Sequence, residues 1–133
     1  MREDVRGYIN TADGFSRLES SKSNEREMVY FNGTYITSSF AISYLAHEFM
    51  HLIYLNQKQI LRSVDDDTWI QEAFAELAPL LTKDREQEEQ EYLAKRVRDF
   101  ITNPRDSLTE WRNTSVDYGV VSMFFEYFRE QYG

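Results

Sequence analysis

The chain has 133 residues and two histidines, and both histidines fall in one pentapeptide, His47-Glu48-Phe49-Met50-His51. This spacing requires a helix. On a helix, residues i and i+4 stand one above the other on the same face. Two imidazoles so placed can reach one zinc ion at about 2.0–2.1 Å each. Glu48 lies beside them on that face, close to where a water on the metal would sit. The flanking residues agree with a helix. Ile42, Leu45, Ala46, Phe49, Leu52 and Ile53 recur at three- and four-residue steps, with Ser38 or Ser39 as cap and an end near Asn56. The face formed by Tyr44, His47, Glu48, His51 and Leu55 adjoins this apolar stripe, so the helix is expected to be buried on two sides.

A second helix is expected after Asp65-Asp66-Asp67, with Asp67 or Thr68 as N-cap and an apolar stripe of Ile70, Ala73, Phe74, Leu77, Leu80 and Leu81. Pro79 should end or kink it, because proline lacks the N–H and clashes with the preceding turn. A catalytic zinc site needs a third protein ligand and an open fourth position. Glu72 comes 21 residues after His51, and Glu76 shares its helix face. Carboxylates this close to a core stripe need partners, since unpaired burial is costly. A zinc ion for one and a histidine N–H for the other would supply them. The metzincin extension would need Gly at position 54 and His at 57, where the chain has Tyr54 and Gln57. The inverted motif is also absent. An acidic ligand on a downstream helix is what remains.

The rest of the chain suggests an α+β domain: a short N-terminal β element followed by about four helices. One domain spans residues 1–133, with 1–37 β-rich and 38–133 helical. Short β-prone pieces are Val5–Ile9, Met28–Phe31 and Thr34–Ile36, and Asn32-Gly33 between the last two reads as a type I′ hairpin turn. A third helix is expected over about Asp84 to Ile101, packing through Leu93, Val97, Phe100 and Ile101 and stopped by Asn103-Pro104. Its charge-dense run Lys83–Arg98 reads as a solvated face. A last helix from about Ser115 carries Val121, Phe124, Phe125 and Phe128 on one face.

Composition narrows the function classes. At 41% hydrophobic and 15% aromatic residues, the chain is too apolar for a disordered segment. Its net charge of −8 argues against nucleic acid as partner, because phosphate binding needs clustered Lys and Arg. No run of eighteen apolar residues is present to span a membrane. Met1-Arg2-Glu3-Asp4 lacks the apolar stretch of a signal peptide, which places the chain in the cytoplasm by default and leaves secretion to the case of a fragment. The absence of cysteine excludes disulfide staples, Cys-ligated zinc fingers and thiol catalysis.

HExxH followed about twenty residues later by Trp69-Ile70-Gln71-Glu72-Ala73-Phe74-Ala75-Glu76 resembles the gluzincin (thermolysin-like) clan of zinc metallopeptidases. The closer likeness is to hyicolysin-type peptidases. It is carried by Ser23–Tyr30, by Leu45–Asn56 around the histidines, and by Asp117–Val121 leading into Tyr127–Gly133. The resemblance implies a minimal zincin fold and one zinc ion per monomer, held by His47, His51 and Glu72. It implies a metalloendopeptidase in which Glu48 activates the zinc-bound water, with Glu76 orienting His47 from behind. It also implies that Val29, Tyr30 and Phe31 pair with an extended peptide or protein substrate, and that Tyr118 assists the oxyanion. No further histidine is present for that last role, so any other donor is a tyrosine, an arginine or a backbone N–H.

Two other readings of the same residues stand beside this one. The first is a zinc-binding but inactive or self-inhibited domain acting in protein interaction, with Asp65, Asp66 or Asp67 closing the fourth metal position. The second is a metal-free interaction module that uses the aromatic helices and the exposed strand.

Overall fold

Antiparallel pairing of Gly7–Ile9 (β1) with Val29–Phe31 (β2) begins the fold, in the register Gly7–Phe31, Tyr8–Tyr30 and Ile9–Val29. Four helices follow: Ala41–Tyr54 (α1), Thr68–Leu81 (α2), Glu86–Thr102 (α3) and Ser115–Tyr132 (α4). This computed structural model describes residues 5–82 and 86–133, with side chains given for all of these except 86–89. The expected helix start at Asp84, the residue Lys83 and the segment Met1–Asp4 lie outside the described residues. The architecture is a small α-rich α+β one, arranged as two compact units, 1–65 and 66–133.

In the N-terminal unit, α1 packs against both strands. Side chains alternate across a strand. Tyr8 and Tyr30 therefore share one face of the pair, where their rings stack at 4.7 Å. Gly7, Ile9, Val29 and Phe31 share the other. The polar stretch between the strands is an ordered loop folded around Asp13. The buried Asp13 carboxylate accepts hydrogen bonds from the Tyr30 hydroxyl at 2.6 Å and the Asn24 N–H at 2.8 Å, and its carbonyl accepts from Arg26.

Five expectations fail in this unit. Thr34–Ile36 is not a strand, and Asn32-Gly33 is not a hairpin turn. Instead the Asn32 side chain accepts the Thr34 N–H and caps a 3₁₀ turn, Gly33–Tyr35. An Asx-type bond offered locally outcompetes the ladder, and β2 takes β1 as its partner. Neither Ser38 nor Ser39 caps α1. The residue before the helix is Phe40, which makes no side-chain cap, and the Ser38 hydroxyl accepts the Phe40 N–H.

The helix also does not stop near Asn56. It continues as a π-helical stretch, Leu55–Ile60, and runs to Arg62, because no Gly or Pro interrupts the segment. It ends at Ser63, which adopts a left-handed backbone (φ 53°). Finally, α1 is not buried on two sides. Ile42, Leu45, Phe49 and Ile53 of the expected stripe are exposed, Phe49 at 54%. The buried positions of this helix and its continuation are Ser43, Tyr54 and Leu55, because the two short strands cover only one side.

In the C-terminal unit, α2 packs on α3 and α4, and α3 packs on α4. Asp67 is the residue before α2, as expected, although its side chain makes no capping bond. Pro79 is buried in the last turn, and the helix ends two residues later at Leu81. α4 begins at Ser115 with a reciprocal capping box between Thr114 and Asp117. A Cβ on Gly119 would stand 2.4 Å from the Phe100 backbone nitrogen, so the α3 and α4 backbones touch at that glycine.

The core of this unit comprises Ala73, Ala75, Tyr92, Val120 and Val121. Ile101, expected to pack, is exposed. Phe124 and Phe128 share α4's apolar face yet remain more than two-fifths exposed, lining an open groove of about 450 Å³ with Phe74, Leu77 and Phe125. The run Lys83–Arg98 is not wholly a solvated face, because Tyr92 and Arg96 are buried.

Candidate metal centre

α1 carries His47 and His51 on successive turns, and the fold brings their rings together. Their Nε2 atoms lie 3.2 Å apart, with ring centroids at 4.8 Å and ring planes 78° apart. Two nitrogens bound tetrahedrally to one ion at the usual zinc–nitrogen length stand roughly 3.3 Å apart. The helix thus holds the pair at a chelating separation. One ring can also hydrogen-bond the other at this distance, according to tautomer. Both rings are half-buried.

His47, His51 and Glu72 form a group that could hold a metal ion: each offers one ligand atom, and these atoms lie within 4.8 Å of one another. Two imidazoles and a carboxylate are a donor set suited to zinc and to other borderline divalent ions. Among the described residues this group does not include Asp65, Asp66 or Asp67. Asp65 instead accepts a hydrogen bond from the Gln59 amide at 2.7 Å.

Glu48 is half-buried between the two histidines in sequence, and its side chain passes over β1 at Gly7. Val29, Tyr30 and Phe31 form β2, which has one strand neighbour, β1, among the described residues. The Tyr30 side chain is committed to Asp13 on the stacked-tyrosine face. What Tyr30 can offer an extended chain is therefore its backbone. Tyr118 lies in the first turn of α4. Its hydroxyl donates to Asn113 Oδ1 at 2.9 Å, and its ring meets Trp111 edge-on at 5.0 Å.

Glu76 takes partners from α3 and α4 that the sequence pattern does not name. Its Oε1 accepts from the Tyr92 hydroxyl and Arg96 Nη2, and its Oε2 accepts from Arg96 Nε and the Ser122 hydroxyl. The side chain is essentially inaccessible to water. Burial by itself would lower the Arg96 pKa, but the Glu76 charge outweighs it and the guanidinium is held firmly protonated. Burial followed by the Glu76 charge pushes the Tyr92 hydroxyl well above its ordinary value, so it stays a donor. One signal for this network was available. A glutamate on a buried face demands a cation, and Arg96 follows Tyr92 by one helical turn beside the Leu93/Val97 stripe.

No family model, characterised protein or solved structure matches the chain. The likeness to gluzincins rests on the motif residues themselves.

Proposed function

We propose that the chain is a gluzincin-type zinc metalloendopeptidase that hydrolyses peptide bonds in an extended substrate. The observation that carries this reading is the His47–His51 separation of 3.2 Å, matched to one tetrahedral ion, with Glu72 as the third donor of the group. His47, His51 and Glu72 would hold the metal. Bound there, zinc would supply Lewis acidity and lower the pKa of a water to about 7. Glu48 takes the proton of the attacking water and passes it to the leaving amine. The backbone of Val29–Phe31 holds the substrate as an added strand. Tyr118 donates to the developing oxyanion, and Glu76 steadies the site by anchoring α2, the helix that bears Glu72, through Tyr92, Arg96 and Ser122.

With water as the nucleophile the reaction needs no covalent intermediate, and neither histidine is left over to activate a serine. Metal analysis paired with cleavage of a broad peptide library tests the reading. The expected result is one zinc per chain and zinc-dependent cleavage inhibited by chelator. A zinc-loaded chain that cleaves nothing would leave the metal a structural role in an interaction domain. A folded chain purified without chelator and free of metal would end the proposal.

A further inference from the structure

Gly7 pairs with Phe31 in the two-stranded sheet, and its α-carbon faces α1. A Cβ built on Gly7 would stand 2.8 Å from Glu48 Cγ, 3.4 Å from Glu48 Cδ and 3.3 Å from the Tyr30 carbonyl oxygen. The first distance is shorter than side-chain carbons tolerate. The backbone conformation at Gly7 is ordinary, since no glycine among the described residues has a positive φ. Chain geometry therefore does not call for glycine at this point. The space does: the volume an alanine methyl would fill is taken by the methylene and carboxyl carbons of Glu48. A glycine inside a strand often marks such a close approach.

We infer that Gly7 is a positioning residue for Glu48: its missing side chain is the slot that fixes where the Glu48 carboxylate stands. The inference rests on the reading of Glu48 as the proton acceptor. It extends that reading to β1, which has no motif residue of its own. A methyl at position 7 has two ways to be accommodated. It can turn Glu48 to another rotamer, or it can push β1 away from α1 and disturb the Tyr30 carbonyl beside it. Either displaces the carboxylate on the ångström scale, and a misplacement of about 1 Å costs on the order of 10²-fold in rate.

The test is a double-mutant cycle of Gly7→Ala with Glu48→Ala, read by melting temperature and by steady-state kinetics of the zinc-loaded protein. Gly7→Ala alone is expected to lower kcat by about 10²-fold with KM little changed, the pattern of a group needed only in the transition state. It should also lower the melting temperature in the wild-type background and lower it much less when Glu48 is already alanine. The unfolded-state effect of replacing glycine is common to both arms and cancels. Equal thermal costs in the two backgrounds would overturn the inference, as would an unchanged kcat in an active enzyme. If Gly7→Ala does not fold, recovery of folding in the double variant supports the inference, and failure of both variants overturns it. A wild-type chain that hydrolyses nothing would overturn the peptidase reading instead, while the thermal cycle still decides whether Gly7 sets the place of Glu48.

Discussion

Arg96 of α3 grips Glu76 of α2 at two points inside the C-terminal unit, Nε to Oε2 at 2.5 Å and Nη2 to Oε1 at 2.6 Å. Tyr92 and Ser122 complete the carboxylate's shell, so the charge is buried with its hydrogen-bonding capacity used. This ties α2, the helix that bears Glu72, to both α3 and α4.

Removing the cation leaves the buried carboxylate stranded. Arg96→Ala is expected to cost about 3–5 kcal/mol, the usual scale for breaking a buried pair from one side. Replacing both partners, Glu76→Leu with Arg96→Met, should cost less than Arg96→Ala alone. Urea denaturation of the three variants checks this. A loss below about 1 kcal/mol for Arg96→Ala would put the pair on the scale of exposed ion pairs.

Metal affinity separates the two glutamates of α2. His51→Ala and Glu72→Ala are expected to abolish tight zinc binding, because two remaining donors hold the ion poorly. Glu76→Gln should weaken it only about 10–100-fold, the range for a residue that supports a ligand. Competition with a metal-sensitive dye measures all three. Equal losses at Glu72 and Glu76 would reassign the third ligand, and stoichiometric zinc in a His47→Ala/His51→Ala variant would refute the site.

Glu48→Gln preserves the shape of the side chain and removes the base. Zinc content and melting temperature should stay close to wild type while hydrolysis falls by about 10²–10⁴-fold. Peptidase activity that survives this substitution undiminished would exclude Glu48 as proton acceptor.

The N-terminal unit should show a pH dependence written by Asp13 and Tyr30. The Tyr30 hydroxyl, followed by the Asn24 N–H, holds the Asp13 carboxyl below its ordinary range. Its contribution to stability is therefore present above the unfolded value of about 3.9 and is lost as pH falls through the lower folded value. Asp13 in turn raises the Tyr30 pKa. That contribution is present below about pH 10 and is lost as pH rises through the folded value. Asp13→Asn should thus lower the melting temperature most between these limits and converge on wild type in acid. A thermal-melt series across pH checks it, and a difference that stays constant into strong acid would show that the carboxylate's charge is not involved.

What could be read along the chain was whatever neighbours on one helix decide. The i, i+4 rule alone places His47 over His51 and Glu72 near Glu76. The stop signals Pro79 and Asn103-Pro104 and the start at Ser115 act within one turn, so α2, α3 and α4 end or begin close to where the residues indicate. Packing across elements was a different matter. The apolar stripe of α1 has the period of a buried face, yet periodicity records only that apolar residues align, and two three-residue strands cannot cover both sides of that helix. Asn32-Gly33 satisfies the local preference for a hairpin turn equally as well as that for a side-chain cap, and β1, distant in sequence, settled the pairing of β2. The burial of Arg96 was equally hidden. In its own helix it is one charge among many, and only the approach of Glu76, twenty residues earlier, makes it a core residue. Burial and pairing are properties of surfaces brought together, and tertiary structure alone decides which surfaces those are.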